Sequence, residues 1–333
     1  MPKDLAELFL QDKHKSLIHM FRKKSKFFIE LFKQTFSDFG KDKVLKMASS
    51  LAYVTIFALP GLLIIIIWIS GAFYNPSEVS GKFISNVVGI LGLKNTLKLE
   101  DLLIHAKFDY QNLWAKVLAV ITLIFSVTGI FGEIQDSINT IWGLRTKPKA
   151  GFIKVLINRF LSFSVLISLG FILMVSLVLN AFISGLFENL QERVPDIPIA
   201  VFWIVNQVVI FFVLVLLFGA IFKVLPDAKI TWRDVFFTSS VSAILFMIGK
   251  SAIGFFLQEN ATVTAYGSAG TVIVLLLWVY YSSVILYLGA EFTQVYMKMK
   301  GRHINPNKYA IWVEKQEIAV DSNMEVSKEE VKP

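Results

Sequence analysis

Runs of about twenty apolar residues with few charges recur along the chain, separated by connections in which Lys and Arg gather. A helix rises ~1.5 Å per residue, so roughly 20 apolar residues cross the ~30 Å hydrocarbon core of a bilayer. Six windows meet that requirement, at about 51–73 (LAYVTIFALPGLLIIIIWISGAF), 114–134, 160–183, 201–222, 235–256 and 272–296. Lipid offers no partner to a backbone N–H or C=O, so each window must satisfy its own as a helix. The pattern therefore predicts an all-α integral membrane protein, a bundle of about six transmembrane helices.

Two further segments carry a helical period without being long enough in apolar residues to cross. Leu17, Ile18, Phe21, Phe28, Leu31, Phe32, Phe36 and Phe39 recur at three- and four-residue spacings beside Arg22, Lys23, Lys24, Lys26 and Lys33. That is a basic amphipathic helix suited to the surface of a leaflet. The connection 74–112 holds amphipathic stretches as well, and predicts one or two short interfacial helices over the outer mouth of the bundle. The domain plan is a basic N-terminal segment over 1–45, a six-span domain over 46–300, and a partly disordered tail over 301–333 rich in Glu, Lys and Ser.

The connections decide orientation. Lys and Arg are retained on the cytoplasmic side of a membrane. Residues 1–50, 135–159, 223–234 and the tail after Met297 hold 26 of the 33, and the alternate connections are poor in them. Strict alternation over six spans places both termini in the cytoplasm. The net charge of +8 is then explained by residues flanking spans, which favours anionic membrane lipids as partners over nucleic acid.

With 55% hydrophobic and 17% charged residues and a mean hydropathy of +0.62, the composition is far too apolar for a soluble domain of this length. Cysteine is absent, which removes disulfides, thiolate metal sites and cysteine nucleophiles. His14, His19, His105 and His303 are dispersed with no metal-ligand spacing. No GxxxxGK[ST] phosphate loop is present, so neither a cofactor nor ATP hydrolysis by this chain is expected. About forty polar and basic residues precede the first apolar run, unlike a cleavable signal peptide.

Polar side chains inside the windows are the candidates for function, because an ionisable group at a helix centre costs ~3 kcal/mol on insertion scales. Lys250 in the fifth window, with Asn206 and Gln207 in the fourth, falls at a similar depth from the outer side and could line one polar cavity. The competing reading is that Lys250 snorkels to the interface on its long stem. At the other end Glu133, Gln135, Asp136 and Asn139 close the second window, while Arg159, Glu291 and Gln294 reach the same depth. Together they predict a cytoplasmic-rim network, structural in preference to a proton or ion site. Pro60 and Gly61 interrupt the first window, either as a broken helix with free carbonyls or as a kink relieved by Ser49, Ser50 or Thr55. Tyr280, Tyr281, Ser282 and Ser283 in the sixth window line a pathway or join helices by hydrogen bonds.

Four ordered motifs carry a family resemblance: SLAYVTIFALPGLL at Ser50–Leu63, FGEIQDSINTIWGLR at Phe131–Arg145, LPDAKITWRDVFFTSSVSAILF at Leu225–Phe246 and AYGSAGTVIVLLLWVYYSSVILYLGAEF at Ala265–Phe292. Over about 40–300 the chain resembles the YihY/BrkB family of bacterial inner-membrane proteins. The matching positions are Ser50, Tyr53, Thr55 and Pro60, then Asn139, Trp142, Pro226 and Trp232, then Gly267, Gly270, Trp278, Tyr280, Gly289 and Glu291. Where the family often has a second proline, this chain has Gly61.

The resemblance implies a six-span envelope protein linked to serum resistance and to envelope lipid export. An older label, ribonuclease BN, travels with it; four dispersed histidines cannot supply the ligand set of a zinc nuclease. The expected activity is that of a transporter or flippase-like protein for a lipid or another amphipathic envelope component. A non-transporting scaffold for envelope-assembly proteins is the alternative, and a tRNA-processing ribonuclease the least favoured.

Overall fold

The computed structural model describes residues 25–73, 113–147, 199–259 and 267–313, together with Ser168 and Ile172. The third apolar window, the connection 74–112, Arg159 and the tail beyond 313 lie outside the described residues, apart from Ser168 and Ile172, both helical.

Helix α1 is described over 25–41 and turns at Asp42 and Lys43 into α2 (Val44–Phe73). Then come α3 (Leu113–Ile141), β1 (Leu144–Thr146), α4 (Ile199–Val224), β2 (Ala228–Lys229), α5 (Trp232–Glu259), α6 (Gly267–Met299), β3 (Asn305–Pro306) and β4 (Ala310–Trp312). Helix α2 packs on α3 and α6, and α5 packs on α6 and α4, so the order across the bundle is α3, α2, α6, α5, α4 with α6 central. The fold is an all-α membrane bundle. Among the described residues three helical stretches, Trp203–Val224, Trp232–Ile253 and Val272–Met299, are long and apolar enough to cross a bilayer.

Helix α2 runs unbroken from Val44 to Phe73 through Pro60. The broken-helix reading of the first window does not hold. Two side chains upstream bond back into the helix: Ser49 Oγ donates to Leu45 O at 2.9 Å and Thr55 Oγ1 to Leu51 O at 2.7 Å.

The core follows helical spacing. Val44, Ala48 and Leu51 on α2, and Val127, Phe131, Ile134, Ile138 and Ile141 on α3, recur every three to four residues and are buried. They meet Val215, Phe218 and Phe222 of α4 and Ile285, Leu286 and Ala290 of α6. Away from this core, Phe57, Phe125, Trp203, Phe212, Leu216, Ile248 and Ile273 stand exposed. Apolar surface on that scale is stable when lipid covers it.

One end of the bundle is capped by chain. After α6 the polypeptide turns at Gly301, whose φ of +65° suits a residue without Cβ, and Arg302 N bonds back to Met297 O at 2.9 Å. It then crosses that end as a strap: β3 pairs antiparallel with β2, setting Ala228 opposite Pro306, and β4 pairs antiparallel with β1, setting Arg145 opposite Ile311. The strap thus ties together the exit of α3, the α4–α5 connection and the exit of α6.

Candidate functional site

The capped end is held by Asp227, which follows Pro226 in the α4–α5 connection. Its Oδ2 accepts from Asn139 Nδ2 at 3.3 Å and from Thr146 Oγ1 at 3.1 Å, and its Oδ1 from Asn307 Nδ2 at 3.1 Å. Its own N–H donates to Asn139 Oδ1 at 2.9 Å, so Asn139 closes a two-way clasp from α3. Backbone joins in, with Asn307 N donating to Asp227 O at 2.9 Å. Nearby, Thr231 caps α5: its Oγ1 donates to Asp234 Oδ2 at 2.6 Å and accepts from Asp234 N at 3.4 Å, a capping-box arrangement. Arg302 Nη1 reaches both Asp234 oxygens, at 2.8 and 2.9 Å. Lys223 donates to Ile230 O and sits 5.7 Å over the exposed Trp232 ring.

Helix α6 is the seam. Trp142 is buried and its Nε1 donates to Ala290 O at 3.0 Å. A Cβ added at Gly289 would overlap Ser242 Oγ and crowd the Phe222 ring, so this glycine lets α4 and α5 approach α6. Trp278 is buried against Phe246 and Tyr281, and the Tyr281 hydroxyl donates to Leu245 O at 3.2 Å. That makes Tyr281 a joint between α6 and α5. Ser282 and Ser283 bond back to Trp278 O and Val279 O within their own helix. Glu291 is fully buried on the same helix, and its two oxygens receive no hydrogen bond.

The expected rim network divides. Asn139 belongs to the Asp227 clasp; Glu291 stands apart from it; Glu133 is half-buried and Asp136 exposed, with contacts of its own. Arg159 lies outside the described residues. Among the matching motif positions, Pro226 is buried, Ser50 and Tyr53 are exposed, and Tyr280 is half-buried. Gly267 and Gly270 open α6, and Pro60 lies within α2.

In the other half of the bundle a shallow groove of about 410 Å³ runs between α4 and α5, open along one side and lined by Trp203, Ile204, Gln207, Val208, Phe211, Ile244, Met247 and Ile248. Gln207 is its one polar side chain. The predicted trio is not assembled there: Asn206, next to Gln207, and Lys250, beyond Met247 and Ile248, are half-buried but do not line it. Lys250 lies off the helical face that Ile244, Met247 and Ile248 present, because its position is turned by about a third of a helical turn from theirs.

Of the clasp and the α5 cap the sequence singled out Asn139 alone; Thr146, Asp227, Thr231, Asp234, Arg302 and Asn307 join it only in the structure. Asp227 stands inside the LPDA motif at Leu225–Ala228. The available signal was a lone acid immediately after proline in a short basic connection. Asp234 carries the capping-box signal, Thr followed three residues later by an acid, read straight from TWRD.

Apolar helices with lipid-suited surfaces around a seam, tied at one end by a polar clasp, define a multi-span α-helical membrane protein. The chain matches the family described as Virulence factor BrkB over residues 35–310, and it belongs to that family. Relatives include UPF0761 membrane proteins of Ralstonia nicotianae (24% identical, 75% of this chain and 55% of that protein) and Alteromonas mediterranea (24%, 76% and 83%). Another is the UPF0761 membrane protein of Xanthomonas campestris pv. campestris strain B100, 30% identical over 76% of this chain and 57% of that protein. The match thus spans just over half the length of the Ralstonia and Xanthomonas relatives. No solved structure matches the chain.

Proposed function

We propose that this protein is a transporter or flippase-like protein for a lipid or another amphipathic envelope component, set in a bacterial inner membrane with both termini cytoplasmic. The groove between α4 and α5 carries the reading. Its lining surface is almost wholly apolar and it opens sideways, which suits an acyl chain. Lys250 stands ~4.5 Å further along α5 from Met247, by helical rise, but on a different face from the groove, so only its long stem could bring the ammonium to an anionic head group at the groove's edge. Orientation rests on the basic residues of the capped end, among them Lys41, Lys46, Arg145, Lys223 and Arg233, which favour the cytoplasmic face and anionic lipids.

A second reading, a non-transporting scaffold for envelope-assembly proteins, draws on Phe28, Ile29 and Phe36 exposed on α1 and on Trp312 exposed in the strap. Reconstitution separates the two. In proteoliposomes with a labelled phospholipid, wild-type protein moves lipid between leaflets, and Ile244→Trp, which fills the groove, slows it about tenfold, equivalent to ~1.4 kcal/mol on the barrier. Lys250→Ala weakens movement of anionic lipids more than of zwitterionic ones. Movement no faster than in empty liposomes leaves the scaffold.

A further inference from the structure

Helix α1 has three sides, where a helix docked on a protein and otherwise surrounded by water needs two. Its docking side carries Leu31 and Thr35, both buried. Leu31 packs with Phe292, Val295 and Tyr296 of α6, and Phe237 and Val241 of α5 complete the seat. Successive helical residues turn by about 100°, so Phe28, Ile29, Phe32 and Phe36 gather on a second side, roughly a quarter turn round from the first. They are 42, 64, 38 and 59% exposed. Lys26 and Lys33, both exposed, fall a further quarter turn round, on the third side.

The level at which α1 sits decides what covers its second side. Phe292 precedes Met299, the last residue of α6, by ~10 Å of helical rise, and Phe237 follows Trp232, the first residue of α5, by ~7.5 Å. Met299 and Trp232 are also the capped-end limits of the two apolar spans. The seat of α1 is therefore on the flank of the bundle, ~7–10 Å in from the capped end. An amphipathic helix lying in a leaflet buries its apolar face to a similar depth, about 5–10 Å into the boundary between head groups and acyl chains. A protein arriving from the aqueous side would have to enter the bilayer to reach the phenylalanines.

Charge points the same way. Lysines beside an apolar face lift their ammonium groups on long stems to the level of lipid phosphates, and anionic head groups attract them. The two acids of α1 do not oppose this: Asp38 is held by Gln34 Nε2 at 3.0 Å and Lys41 Nζ at 3.2 Å, and Glu30 lies on the water side, beyond the lysines. We propose that α1 is an in-plane helix of the leaflet at the capped end. Its phenylalanine side lies among the acyl chains of anionic phospholipid, Lys26 and Lys33 meet the phosphates, and Leu31 joins the helix to α6. The surface that a scaffold would offer to a protein partner is thereby given to lipid. In the orientation proposed above, the leaflet is the cytoplasmic one.

The chain has no cysteine, so Ile29→Cys and Ser37→Cys each place a single spin label on full-length protein, the first on the apolar side and the second on the water side. In nanodiscs of phosphatidylglycerol and phosphatidylcholine, the label at 29 collides with oxygen, which dissolves among acyl chains, and is shielded from a water-soluble nickel chelate. The label at 37 shows the reverse. Hydrogen exchange over 25–41 in unlabelled protein is slower, on the order of fivefold, in these nanodiscs than in phosphatidylcholine alone. Lys26→Gln combined with Lys33→Gln exchanges alike in both lipids. A label at 29 as open to the nickel chelate as the one at 37 overturns the proposal and leaves the face to a protein partner. Wild-type exchange indifferent to lipid charge overturns it as well. Neither readout depends on whether the protein moves lipid between leaflets.

Discussion

Asp227 concentrates more of the polar structure of the capped end than any side chain around it, and it is almost wholly buried. A buried charge is tolerated when every lone pair is met, and here two side-chain amides, one hydroxyl and a backbone N–H surround it or its amide partner. Removing it is costly in a specific way, because Asn139, Thr146 and Asn307 would lose their common partner inside the fold. Asp227→Ala is expected to destabilise the protein by about 3 kcal/mol, read as a drop in the unfolding temperature of the detergent-purified chain. Asn139→Ala should cost less, about 2 kcal/mol, since Thr146 and Asn307 remain. Equal and negligible effects from both would mean that the clasp does not hold this end.

Between elements, the tight seam of α6 against α4 and α5 depends on the absence of a side chain at Gly289. A methyl group there meets Ser242 Oγ and the tip of the Phe222 ring, and Ser242 is itself bonded to Thr238 O at 3.1 Å. Overpacking at such a contact costs ~1–3 kcal/mol. Gly289→Ala should therefore lower thermal stability by about 2 kcal/mol, and Gly289→Ala combined with Ser242→Ala should recover part of the loss by clearing the space. No recovery in the double variant would mean that the strain lies elsewhere. The strap works at the same level. It adds pairing to β1 and β2, each only two or three residues long, and the Arg302 bridge to Asp234 pins its start to α5.

Taken whole, the molecule is closed by polar bonds and strap at one end, while the opposite half presents aromatic and aliphatic side chains outward. That asymmetry carries a topological consequence. A chain without cysteine accepts a single reporter thiol at any exposed position. Lys229→Cys and Lys308→Cys, both exposed at the capped end, should resist a membrane-impermeant maleimide in intact spheroplasts and react fully once the membrane is opened. Labelling of either in intact spheroplasts would reverse the assigned orientation.

The apolar windows and the helical spacing of core positions are properties of the local chain, because a helix in lipid has no partner but itself and a side chain's face follows from its position along the turn. Hence α2, α3, α4, α5 and α6 were legible as helices from their apolar windows, to within a few residues at their ends. What lay beyond such reading was every pairing between segments far apart in sequence: Asn139 choosing Asp227 over Glu291, Gln207 facing a groove that Lys250 and Asn206 miss, and β4 returning to β1. Proline at position 60 left a break and a kink both open, and α2 continues through it, since losing one N–H is tolerable where the rest of the turn stays bonded. Sequence by itself determined that this chain is a bundle of membrane helices, as hydropathy acts locally. Only tertiary structure decided which polar groups meet and which, like Glu291, are buried without a donor, because those contacts depend on how helices approach in space.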